Sequence, residues 1–130
     1  MIDPKRLAGL ARMAALRKDA DLMALAAETV RRTAADDRLR ALDTAAVVAR
    51  SAAEGNTDPA FLAAQEGFAR WVAARRSVLT QDLDIATSRV AVERARAARS
   101  FGRCQALDAT RTRLAEEMAR RSHRRDGGAT

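Results

Sequence analysis

Apolar residues recur along the second half of the chain at gaps of three, four and seven. Phe61, Phe68, Val72, Leu79, Leu83, Ala86, Val90, Ala97, Phe101, Cys104, Leu107, Leu114 and Met118 form the stripe of a coiled-coil helix, interrupted at Gln65, Arg75, Glu93 and Arg111. The first half is less orderly. Met13, Leu16, Ala20, Met23, Ala27 and Val30 hold one register, Leu39, Leu42, Ala46 and Ala49 hold another, and Leu7, Leu10, Leu22 and Leu25 fit neither. The slip falls around Thr33–Arg38. Leucines on more than one face mean either that alanine lets two helices approach closely across a broad stripe, or that helix 1 also packs against a second molecule.

The breaks between these stripes are few. Both prolines follow an aspartate, at Asp3-Pro4 and Asp58-Pro59. That pair starts a helix: the carboxylate accepts from free amides, and proline takes the first helical position, where its missing N–H costs nothing. Glu54-Gly55-Asn56-Thr57 is the one cluster of turn formers between them, so the first helix ends near Ala53 on Gly55. The pattern predicts helix 1 over Pro4–Ala53, a turn over 54–58, helix 2 over Pro59–Arg125 and a frayed tail over 126–130. At about 1.5 Å per residue the helices measure roughly 75 Å and 100 Å. The predicted fold is all-α, a long antiparallel two-helix coiled-coil hairpin forming a single domain. Such a hairpin encloses little core, so it needs a partner or frays in part.

Composition agrees with this reading and removes other classes. Alanine fills 32 of 130 positions, aromatics make up 3% and tyrosine is absent. A sandwich, a barrel or a doubly wound sheet would need β-branched and aromatic strands that are missing here. The longest uncharged stretch, Pro59–Gln65, has seven residues, against about 20 for a membrane-spanning helix. The N-terminus lacks the basic-then-apolar order of a secretory signal. One cysteine permits no internal disulfide and fits a reducing cytosol.

Charge is uneven. Residues 1–53 carry +3, residues 54–88 carry −2, and residues 89–125 carry +7, eleven basic against four acidic. One end of an antiparallel hairpin is therefore strongly basic. Twenty-two of the 24 basic residues are arginine, which suits bidentate pairing with carboxylate or phosphate. Arg111, Arg113, Arg120, Arg121, Arg124 and Arg125 are the candidate docking residues, with a solvated face laced by pairs such as Asp108–Arg111 as the plainer alternative. Trp71 either completes the seam beside Val72 or stands exposed as an interface anchor.

Catalytic chemistry is not legible. Cys104 and His123 lie nineteen positions apart on one predicted helix, roughly 28 Å, too far to act as nucleophile and base. Cys104 belongs to the seam and His123 to a solvated end. The acidic neighbours Asp36-Asp37 and Glu116-Glu117 point to different helix faces and make neither an acid/base pair nor a metal site. No glycine-rich phosphate loop occurs. The chain reads as a non-enzyme without metal or cofactor.

The basic C-terminal run Leu114-Ala-Glu-Glu-Met-Ala-Arg-Arg-Ser-His-Arg-Arg125, joined to the opening Leu7-Ala-Gly-Leu-Ala-Arg-Met-Ala-Ala-Leu-Arg-Lys-Asp-Ala-Asp-Leu-Met-Ala-Leu-Ala-Ala-Glu28, resembles the FliJ family of flagellar export stalk proteins and their type III secretion relatives. The resemblance spans nearly the full length and rests on length and coiled-coil pattern. It implies a rod like the central stalk of a rotary ATPase, whose paired terminal helix ends enter the export ATPase ring while other parts touch the export gate and substrate chaperones. It further implies a cytoplasmic location, peripheral at the inner face of the membrane, with the register slip as a hinge or gate-facing surface. Two other classes stay open. One is a self-associating coiled-coil scaffold or homo-oligomer. The other is an Arg-rich nucleic-acid binder, disfavoured because acids are interleaved among the bases of helix 1 and stacking aromatics are scarce.

Overall fold

The computed structural model describes residues 2–128 and is an all-α helical hairpin. Helix α1 spans Pro4–Ala53 and helix α2 spans Pro59–Gly128, with no strand among the described residues. The start signals act as their chemistry dictates. Asp3 Oδ1 accepts from the Lys5 amide at 3.0 Å, and Asp58 Oδ1 from the Ala60 amide at 3.1 Å. Between the helices Gly55 adopts φ +77°, the left-handed conformation that lets the Asn56 amide turn back to the Ala53 carbonyl at 3.1 Å. Asn56 Oδ1 then accepts from the Asp58 amide at 3.0 Å, leading into α2.

The expected tail needs correction: α2 continues through Asp126, Gly127 and Gly128, while residues 129 and 130 lie outside the described residues. A helix already propagated for many turns tolerates glycine at about 1 kcal/mol each.

The contacts of the chain fall into two compact units, each built from a stretch of both helices. Unit 1 comprises residues 1–25 and 93–130, and unit 2 comprises residues 26–92. Within unit 2 the helices run antiparallel, as Asp43 pairs with Arg76 and, farther along α1, the Ala49 carbonyl accepts from Gln65 Nε2 at 2.7 Å. Ala35, Leu42, Leu79, Ala86 and Val90 are its buried apolar residues. Leu7 and Ala97 are those of unit 1, where the buried Ser100 hydroxyl donates to the buried Asp21 carboxylate.

The register of α1 departs from expectation in its first half, whereas Leu39, Leu42, Ala46 and Ala49 face inward as expected. In unit 1 its inward residues are Leu7, Ala11, Ala14, Lys18, Asp21 and Leu25. In unit 2 they are Glu28, Arg32, Ala35, Leu39, Leu42, Ala46, Ala49 and Ala53. Within unit 2 the gaps alternate four and three in one heptad phase across Thr33–Arg38, so α1 has no slip there. Four inward positions, Lys18, Asp21, Glu28 and Arg32, are polar, so apolar spacing does not mark this face. Met13, Leu16, Met23 and Val30 meanwhile face outward and are 68–74% exposed.

On α2 several seam assignments also change, and Phe68 and Met118 of the expected stripe are 36% and 49% exposed. Ser100 is buried where the pattern pointed to Phe101, which is 53% exposed, because the step 97–100–104 keeps the three–four alternation. Arg76 rather than Arg75 reaches α1, through its ion pair with Asp43.

Candidate docking surface

The full formal charge of the chain sits in unit 1. Its residues include fifteen basic and eight acidic side chains, whereas unit 2 holds nine of each. Placement on α2 then decides what these charges can do together.

The six arginines singled out from the sequence are all exposed on α2 in unit 1, but they do not form one patch. Arg111 faces the start of α1 and, with Pro4, Leu7, Asp108, Leu114 and Met118, lines a shallow hollow of about 480 Å³. Asp108 and Arg111 share that hollow without forming an ion pair. Arg113, Arg120 and Arg124, at i, i+7 and i+11, fall on one side of the helix. Arg113 and Arg120 line a second hollow with Ile2, Thr110, Glu117 and Arg121. Arg125, one residue on from Arg124, is turned about 100° away from that side, whereas Arg121, one residue on from Arg120, still borders the hollow beside Ile2.

The side carrying Arg113 continues toward the middle of α2. Steps of three and four lead from Arg96 to Arg99, Arg103, Ala106, Thr110, Arg113, Glu117, Arg120 and Arg124. Six of these nine positions are arginine and one is acidic. Arg96 is paired with Glu93 at 3.0 Å, so the other five present their guanidinium groups without an ion pair among the described residues. Sequence reasoning favoured the dense C-terminal run and missed Arg96, Arg99 and Arg103. The signal that finds them is the heptad step applied to charge, as it had been applied to apolar residues.

An arginine line on a helix side binds carboxylates or phosphates presented at a matching rise. Cys104 is half-buried in the seam and His123 is exposed, and no group of three His, Cys, Asp or Glu side chains suited to a metal ion occurs among the described residues. No described helix is long and apolar enough to cross a membrane.

Trp71 belongs to unit 2. Val72 takes the seam position and Trp71 stands 56% exposed, stacked on Phe68 with ring centroids 5.9 Å apart. The seam alternative for Trp71 is thereby corrected, since the seven-residue step to buried Leu79 turns Val72, not Trp71, inward. No family model matches the chain, and neither the curated proteins nor the solved structures contain one found to be similar to it.

Proposed function

We propose that this protein is a non-enzymatic coiled-coil adaptor of the stalk type, serving a flagellar-type protein export apparatus by docking on the export ATPase ring and the export gate. The observation that supports the reading is the line of arginines on α2 of unit 1, presented on a continuous helix and mostly free of internal ion pairs. A helix so decorated meets acidic protein surfaces through charge-assisted hydrogen bonds and gains association rate from its net charge. The reading places the protein in the cytoplasm, peripheral at the inner face of the membrane.

Phosphates would attract the same arginines, and salt separates the two partners. Affinity for DNA falls about 10³-fold or more between about 50 and 200 mM salt when several phosphates are neutralised. A helix held in a protein ring by packing as well as charge persists. The deciding experiment is a pull-down of the tagged protein from its native cytosol at about 200 mM salt after nuclease treatment. Recovery of a hexameric export ATPase or the gate protein supports the stalk reading, and charge reversal at Arg120, Arg121, Arg124 and Arg125 then weakens it. Recovery of the bait alone overturns it.

A further inference from the structure

Unit 2 carries no net charge, yet it exposes a line of large apolar side chains. Trp71, Val78, Ile85 and Val92 repeat every seven residues on α2 and are 56%, 46%, 46% and 55% exposed. A seven-residue repeat keeps them on one side of the helix, as in a coiled-coil seam. Tryptophan at such a site is a costly residue to leave in water and a frequent interface anchor.

The charges beside that line identify the occupant. Arg75 lies three residues before Val78 and Asp82 four residues after it. Both are exposed, and neither forms an ion pair among the described residues. We propose that a second copy of this chain covers the line, α2 against α2 in antiparallel sense, about a two-fold axis at Val78. In that arrangement Val78 meets its own symmetry mate, Trp71 meets Ile85 of the second copy, and Arg75 meets Asp82 of the second copy twice over. Arg89 reaches the ring of Phe68 across the axis, a cation–π contact. Parallel in-register pairing would instead bring Arg75 beside Arg70 of the second copy and Asp82 beside Ser77, so both Arg75–Asp82 pairs would be lost. Of the two senses, both compatible with two-fold symmetry, the antiparallel one brings Arg75 and Asp82 of the two copies together.

This inference goes beyond the docking reading and does not depend on it, since it concerns unit 2 and needs no other protein. It is tested by sedimentation equilibrium of the purified full chain, with circular dichroism to show that each variant keeps its helix content. The wild type is expected to be a dimer. Arg75→Asp and Asp82→Arg, each alone, raise the dissociation constant at least tenfold, and the two together restore it to within a few-fold of wild type. Trp71→Ala weakens the dimer at least tenfold as well. A wild type that stays monomeric overturns the proposal. So does a dimer that ignores the single charge reversals, or one that the double reversal fails to restore.

Discussion

The Ser100 hydroxyl of α2 donates to the carboxylate of Asp21 on α1, and both residues are almost fully buried, at 3% and 6% exposure. Among the described residues the carboxylate's other partner is the Arg17 guanidinium, with Nε 3.6 Å away and its side chain 66% exposed. Ser100→Ala therefore leaves a buried anion one donor short and should cost about 1–3 kcal/mol in urea unfolding. Asp21→Leu combined with Ser100→Ala removes both polar groups together and should recover most of that loss. A single change that leaves the urea midpoint unmoved would show that this pair does not hold unit 1 together.

Glu93 in unit 1 and Glu28 in unit 2 share a defect. Each carboxylate gives one oxygen to the arginine three residues on, Arg96 at 3.0 Å and Arg31 at 2.6 Å, while its second oxygen is buried without a hydrogen-bond partner. A buried acceptor left unmade is destabilising, and an ion pair to an exposed arginine offsets little of that. Replacing either glutamate with leucine at its inward heptad position should raise stability by about 1 kcal/mol. The check is the thermal midpoint of Glu93→Leu and of Glu28→Leu, measured separately. A fall in either would mean that the carboxylate stabilises the seam.

These polar seam positions also explain what the sequence could and could not disclose. Asp3-Pro4, Gly55 and Asp58-Pro59 mark helix ends through backbone chemistry that acts locally, so the turn and both helix starts were legible. The inward face of α1 was not. Periodicity follows apolar residues, and here Lys18, Asp21, Glu28 and Arg32 face inward while Met13, Leu16, Met23 and Val30 face water. Asp21 can lie inside because Ser100 meets it, and that partner is 79 residues away, beyond the reach of any local rule. For the candidate docking surface, a run of adjacent arginines drew notice to Arg120–Arg125, whereas binding geometry depends on which guanidinium groups share a side. Only a fixed helix register shows that Arg99 and Arg103 lie in line with Arg113.

Two glycines should respond to the same substitution with opposite sign. Gly55 holds φ +77°, which an L side chain resists, so Gly55→Ala should cost about 1–2 kcal/mol. Gly102 lies within α2, and a Cβ built there meets nothing within 4 Å. Gly102→Ala should therefore stabilise by up to about 1 kcal/mol. Chemical denaturation of the two variants beside wild type reads both. Equal signs would mean that the turn or the helix is not as described.

The arginine line makes a prediction that net charge alone does not. Arg113, Arg120 and Arg124 share one side of α2 with Arg99 and Arg103, while Arg111 and Arg125 are turned away from it and Arg121 touches it only at the hollow beside Ile2. Reversing either triple to glutamate changes the formal charge by the same amount and leaves the seam apolar residues untouched. If an ordered line does the binding, the triple at 113, 120 and 124 should elute from a sulfonate cation-exchange resin at clearly lower salt than the other triple, because a charged surface binds through the groups it presents together. The same order should hold for any acidic protein partner, with the loss at 113, 120 and 124 about tenfold larger, near 1.4 kcal/mol. Equal elution of the two triples would reduce the surface to bulk charge and remove the geometric basis for docking.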